Sequence, residues 1–230
     1  MEKLCILSAE TVVAPTALIW EETQNLLEIK KTSWIIPNLA DDAFFQEGDL
    51  RESSSKQGEE KYLLFIGRLE HRKGADILLE AYLFLSRTGT PNLPKIIFVG
   101  GDCYWEVYGA TFLQHWLPRL SDVDRQQIIF TGQIDHELVA GYLRNAALCI
   151  FPSRWEPFGI VCLEAMAAGC PVIVSTGTGL QEVIGSSLAE YAVDLSAGPI
   201  SLAEKIRSVL QTQPDDLSDK LRCRSRALAH

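Results

Sequence analysis

Five continuous apolar runs constrain the fold of this chain more than any other feature. KYLLFIG, KIIFVGG, QIIFTG, ALCIFPS and CPVIVS each close on glycine, proline or serine, and a weaker YAVDL follows. A strand with one wet face alternates polar and apolar residues. Runs without alternation need cover on both faces, as strands have in a parallel sheet held between layers of helices. The intervening segments carry helical stripes. Leu78, Ala81, Tyr82 and Leu85 fall at i, i+3, i+4 and i+7, and Leu202, Ile206, Val209 and Leu210 form a similar stripe behind Ser201 and Glu204, which read as a capping box. This rhythm predicts an α/β fold, a doubly wound, Rossmann-like parallel sheet that binds ligands at the carboxyl ends of its strands.

The rhythm changes near residue 60. LRESSSKQGEE, residues 50–60, is polar and turn-rich without an apolar period, which predicts a mobile loop. Before it, ETVVAP, TALIWEETQNLLEIKK and SWIIPN supply only a strand, a helix and a strand, too few to bury a core of their own. The expected organisation is therefore the end of another domain with a connector over 1–40, a mobile linker over 41–60, and a ligand-binding domain over 61–230.

A formal net charge of -9 argues against general adhesion to nucleic acid or anionic lipid, which needs clustered Lys and Arg. Any anionic ligand must find a local basic site. The six cysteines are scattered without C-x-x-C or Cys/His spacing, which predicts a reducing compartment and no structural metal. Glu10 interrupts the first apolar patch before it reaches the length of a secretory core, and no run approaches the roughly 18 to 20 apolar residues of a membrane span. A soluble, cytoplasmic protein is expected.

Three stretches carry chemistry. In FPSRWEPFGIVCLEAMAAGC, Glu156 and Glu164 flank Pro157 and Gly159. Pro157 suits a first helical turn, while Gly169 and Pro171 supply a stop, which predicts a helix from about Pro157 to Ala168. Its start, with Gly159 baring backbone N–H groups, opens at the binding edge as an anion site. If the whole stretch is helical, a rise of about 1.5 Å per residue separates the two glutamates by roughly 12 Å. Glycosidase carboxyls sit about 5 to 9.5 Å apart, so this spacing better suits a grip on the two ends of one elongated ligand. In FIGRLEHRKGADILLEAY, Arg68 and Lys73 stand at a strand-to-helix turn, a fork of donors and a mobile point charge suited to a phosphate chain. A solvated patch with Glu70, His71 and Arg72 is the alternative. The third stretch, STGTGLQEVI, imitates a dinucleotide fingerprint but places Glu182 where a small residue is needed for close helix packing. His71, His115 and His136 have no paired carboxylate or Cys at useful spacing, and Trp155 reads as packing or as a wall of the pocket.

Taken in order, GRLEHRKG, FTGQIDHELVAGYLRNAALCIFPS and EPFGIVCLEAMAAGCPVIVSTGTGLQEVI resemble the carboxyl-terminal, donor-binding domain of the family 4 retaining glycosyltransferases of the GT-B fold, with their E-x7-E motif. The resemblance covers roughly Lys61 to Ser208. IIPNLADDAF resembles the family's interdomain linker, with Leu39 where a glycine is usual. The resemblance implies that Glu156 approaches the sugar while Arg68 and Lys73 neutralise the diphosphate, and it makes these three the catalytic group. It further implies that Glu164 holds the ribose hydroxyls, that the helix start at Phe158, Gly159 and Ile160 meets the donor, and that the backbone at Gln133 and Ile134 meets the base. No metal and no cofactor is implied; the substrate is a UDP- or GDP-linked sugar. The acceptor would be bound mainly by an amino-terminal domain of which residues 1–40 are a remnant, and the chain lacks the family's closing helix. A truncated enzyme, inactive alone, is expected. Two alternatives stay open: a non-catalytic nucleotide-sugar binding module, and a glycoside hydrolase using the two glutamates.

Overall fold

The computed structural model describes residues 2–45, 61–212, 222–224 and 226–228. The chain opens with α1 (Glu2–Ser8), β1 (Val12–Ala14), α2 (Ala17–Leu27) and β2 (Ser33–Ile35). The first helix is an addition to the sequence expectation, which saw only strand, helix and strand. β1 and β2 pair in parallel as a small sheet of their own. A 3-10 turn at Asp42–Phe44 follows, and Phe44 is buried in the core of the larger unit. The linker expected over 41–60 thus begins as an anchored turn; its remainder, 46–60, lies outside the described residues.

The larger unit runs β3 (Tyr62–Ile66), α3 (Ala75–Arg87), β4 (Ile96–Val99), β5 (Tyr104–Trp105), β6 (Ala110–Thr111), α4 (Phe112–Trp116), α5 (Asp122–Gln127), β7 (Ile128–Gly132), α6 (His136–Asn145), β8 (Ala146–Phe151), α7 (Ile160–Ala167), β9 (Val172–Ser175), α8 (Gly179–Ile184), β10 (Ala192–Val193) and α9 (Pro199–Gln211). Six strands form one sheet in the order β10-β9-β8-β3-β4-β7, and every neighbouring pair is parallel. This is the doubly wound α/β architecture that the apolar runs predict. All of β8 and β9 is buried, which explains why those segments read as unbroken apolar runs.

The helices follow their stripes, except that Leu210 of the second stripe is only partly buried. Leu78, Ala81, Tyr82 and Leu85 of α3 are buried, as are Leu202, Ile206 and Val209 of α9. The capping box at Ser201 and Glu204 does not form. α9 starts three residues earlier than such a box implies, at Pro199, and the Ser201 hydroxyl donates instead to the Gly198 carbonyl (2.9 Å). The boxes that do form are Thr111 with Gln114 and Ser121 with Asp124, at the starts of α4 and α5. No helix among the described residues is long and apolar enough to cross a membrane.

The chain order reverses between β3 and β8. From β3 the chain steps outward through β4 and β7, then returns beside β3 and steps the other way. Right-handed crossovers in opposite directions put α3 and α7 on opposite faces of the sheet and leave a crevice above its edge. Polar contacts tie the two lips of that crevice. Arg154, before α7, forks onto Asp76 at the start of α3 (2.8 and 2.7 Å) and donates to the His71 carbonyl (2.7 Å). Its own N–H donates to the Arg72 carbonyl (2.8 Å). Removing Arg154 would leave Asp76, 7% exposed, without its fork. Arg154→Ala should therefore cost about 1.5 to 3 kcal/mol in urea denaturation. Adding Asp76→Ala should cost much less than that substitution costs alone, because the unpaired charge has gone; fully additive losses would show that the fork is not what joins the lips.

Candidate active site

The sheet places the carboxyl ends of β3 and β8 side by side, so the loops after them form the mouth of the crevice. The first loop supplies Arg68, then a 3-10 turn over His71–Lys73 before α3. The second supplies Glu156 through Gly159. The expected helix from Pro157 is shorter than predicted: α7 begins at Ile160. Gly159, at φ 93°, is in the left-handed region and ends the extended loop. A side chain there would be strained and would overlap Leu180. The rise of roughly 12 Å between the glutamates accordingly does not apply. Glu156 sits in the loop, and only Glu164 is on the helix.

A cleft of about 360 Å³ lies at the switch point, and Lys73, Glu156, Phe158, Gly159 and Ile160 all line it. Asn38, in the connector after β2, lines it as well. Lys73 Nζ and Glu156 Oε2 form an ion pair across the mouth, joining the β3 loop to the β8 loop. Arg72 Nη1 stands 3.8 Å from the same carboxylate oxygen, and its guanidinium lies over the Trp155 ring, 5.7 Å from the centroid. Trp155 itself is exposed. The Glu156 residue is only 8% exposed, so its carboxylate is held in place by these cations at modest dielectric. The same pair keeps the Lys73 ammonium aimed at the cleft when no other anion is near.

Arg68 lies apart from that pair. Its side chain is 66% exposed and meets Glu70 (3.0 Å), which also accepts from Arg72 (2.8 Å). Glu70 therefore shares its charge between two guanidiniums, and Arg68 has the freedom to turn toward an incoming anion. Arg68, Gln133, Ile134 and Glu164 are not among the residues that line the cleft. Gln133 is exposed directly after β7, and Ile134 packs against the core.

Glu164, in the second turn of α7, is 6% exposed among apolar neighbours. Burial pushes its carboxyl above the ordinary value of 4.5. The nearby Asp41 adds to the rise, while His136 opposes it through a contact of 3.4 Å to Oε1. Sequence reasoning passed over His136 because its partner lies 28 residues away on another helix. The His136 ring also packs edge-on against Phe44, with centroids 5.4 Å apart. The anchored turn after β2 thus helps to frame this carboxylate.

Residues 46–227 match the family model described as glycosyl transferases, group 1. The chain is 34% identical over 59% of its length to an uncharacterized glycosyltransferase of Methanocaldococcus jannaschii, covering 32% of that protein. It is 31% identical over 69% of its length to a mannosylfructose-phosphate synthase of Agrobacterium fabrum, covering 35% of it. A D-inositol 3-phosphate glycosyltransferase of Catenulispora acidiphila matches all of the chain at 28% identity over 54% of its own length. Among solved structures, the sucrose-phosphate synthase of Thermosynechococcus elongatus superposes with a TM-score of 0.78 at 26% identity, with 99% of this chain and 56% of that one covered. The chain thus spans about a third to about half of the length of these relatives.

The raised carboxyl of Glu164 has a stability consequence with a definite sign. Its ionised form costs more in the folded than in the unfolded state. Any penalty is absent below the unfolded value near 4.5 and is fully present once pH exceeds the folded value. Glu164→Gln removes the charge. The substituted chain should melt higher than the parent at pH 7, and the two melting temperatures should converge as pH falls toward 4. An advantage that grows in acid would contradict this origin of the shift.

Proposed function

The chain belongs to the group 1 glycosyl transferases, and on that premise we propose that it is the donor-binding part of a retaining enzyme that moves a sugar from a nucleoside diphosphate to an acceptor hydroxyl. The observation that carries the reading is the meeting of Lys73 and Glu156 at the switch-point cleft, beside the start of α7. A diphosphate entering there finds a cation on one lip and a helix start on the other, with Arg68 able to swing in from the rim. Glu156 then faces the sugar, and Glu164 with the Gln133–Ile134 backbone takes the nucleoside.

On this reading the reaction is driven by charge stabilisation. As the bond between the anomeric carbon and the phosphate oxygen breaks, the sugar becomes oxocarbenium-like and the diphosphate gains negative charge. Arg68, Lys73 and the amides of Gly159 and Ile160 stabilise that charge where it develops. If the acceptor hydroxyl approaches from the face the phosphate leaves, a phosphate oxygen takes its proton and the anomeric configuration is kept. The β1–α2–β2 unit belongs on this reading to the acceptor-binding side of a longer enzyme that works in the cytoplasm, and the present chain binds donor without turning it over. Holding both reactants in register supplies about 7 to 11 kcal/mol of a barrier, a contribution one half forgoes.

Calorimetry with UDP, GDP and ADP tests the reading. At least one should bind, with affinity changing less than tenfold between EDTA and excess Mg²⁺, since the cleft's own cations neutralise the phosphates. Arg68→Ala should weaken that nucleotide by about 1.5 to 3 kcal/mol and leave the parent nucleoside unaffected. Equal losses for nucleotide and nucleoside would overturn the assignment of Arg68, and a strict need for metal would overturn the neutralisation argument.

A further inference from the structure

Glu182 defeats the dinucleotide pattern in STGTGLQEVI, and the function proposed above gives it no task. The structure shows what it touches. Its carboxylate leaves α8 and accepts from the backbone N–H groups of Ala17 (2.9 Å) and Leu18 (2.7 Å), in the first turn of α2. Those amides have no partner within their own helix, and a carboxylate there is favoured by both hydrogen bonding and the helix dipole. Thr16, the residue that caps α2, is 1% exposed. Its hydroxyl accepts from Ile19 N–H (3.4 Å) and donates to the Pro157 carbonyl (2.9 Å). The Gly179 N–H, at the start of α8, donates to the Glu156 carbonyl (2.8 Å). A side chain at Gly179 would overlap the Pro157 carbonyl, so only glycine lets α8 come this close.

These bonds close a ring. The loop at Glu156–Pro157 is tied to α8 through Gly179 and to α2 through Thr16, and α2 is tied back to α8 through Glu182. The Trp155 indole N–H adds a second link to α2 at Glu22 (3.4 Å). The far end of α8 is held by Arg226, whose guanidinium donates to the carbonyls of Glu182 (2.8 Å) and Val183 (3.0 Å). With α8 fixed at both ends, a movement of α2 is passed to the Glu156–Pro157 peptide and hence to the Glu156 carboxylate.

We propose that Glu182 and Thr16 are positioning residues, which set the sugar-facing segment Glu156–Pro157 according to where the amino-terminal β1–α2–β2 unit sits. This rests on the donor reading above. The cations of the diphosphate site, Arg68 and Lys73, are on the β3 loop, and its Gly159 and Ile160 amides open α7, so none of them is a member of the ring. Breaking the ring therefore disturbs the sugar end of the cleft and spares the phosphate end.

Two readouts test the proposal on the full 230-residue chain. The first is calorimetry with UDP, GDP and ADP and with their glucose conjugates. For the nucleotide that binds, Glu182→Ala and Thr16→Val should each leave the diphosphate affinity within about twofold. Each should reduce by about tenfold, equal to about 1.4 kcal/mol, whatever the attached glucose changes in affinity, and Thr16→Ser should restore it. Parallel losses for diphosphate and conjugate would overturn the positioning role. The second readout is amide hydrogen exchange, which needs no ligand. Thr16→Val should speed exchange at Gly179 N–H, which Thr16 does not touch, while amides of β3 keep the parent rate. An unchanged Gly179 rate would show that the ring does not couple α2 to α8. Binding of none of the six probes by the parent chain would overturn the donor reading, and the ring would then stand or fall on exchange alone.

Discussion

The contact between the loops after β3 and β8 governs the rest of the site. At a switch point the two helices leave toward opposite faces, so nothing in the sheet itself holds their first turns together. The Arg154 fork onto Asp76, with its bond to the His71 carbonyl, supplies that connection through polar groups. Once the lips are joined, Lys73 and Glu156 fall opposite each other, and the start of α7 opens into the cleft. Burial of Asp76 makes the fork costly to break, so geometry and stability depend on the same few bonds.

On the donor reading, local electrostatics explains how an acidic chain can offer an anion site. The net charge of -9 disfavours diffuse attraction of polyanions, but the loop after β3 carries Arg68, Arg72 and Lys73 together, and Glu70 and Glu156 compensate them. Of these cations, Lys73 is the one that its pair holds at the cleft wall. Glu164 is compensated differently. Its cover is apolar, its one described polar side-chain contact is His136, and its carboxyl is correspondingly raised. A polar ligand that donates hydrogen bonds to it would relieve that burial.

The sheet was legible in the sequence because unbroken apolar runs have few other homes, and the stripes of α3 and α9 were legible because burial of Leu78, Tyr82, Leu202 and Ile206 demands them. The start of α7 was misread because Pro157 is compatible with a first helical turn, whereas the decisive fact is the left-handed backbone of Gly159. The box at Ser201 failed for a related reason: Pro199 already starts the helix. The short hairpin of β5 and β6 went unassigned, being only two residues per strand. Arg68, Lys73 and Glu156 could be picked out because each borders a turn at a strand end. Arg154, Thr16 and Glu182 could not. Their partners are 78, 141 and about 165 residues distant, and no local period marks a residue whose role is to bridge.

The central claim is that the crevice between the β3 and β8 loops holds a diphosphate by displacing the internal pair of Lys73 with Glu156. A crystal structure of the chain with a bound nucleoside diphosphate tests it most directly. The account predicts phosphate oxygens within hydrogen-bond distance of Lys73 Nζ and of the Gly159 or Ile160 amide, with Arg68 turned in from the rim and Glu156 left facing the space beyond the terminal phosphate. A nucleotide seated elsewhere on the chain, or one whose phosphates lie away from Lys73 while the pair with Glu156 stays intact, would contradict it.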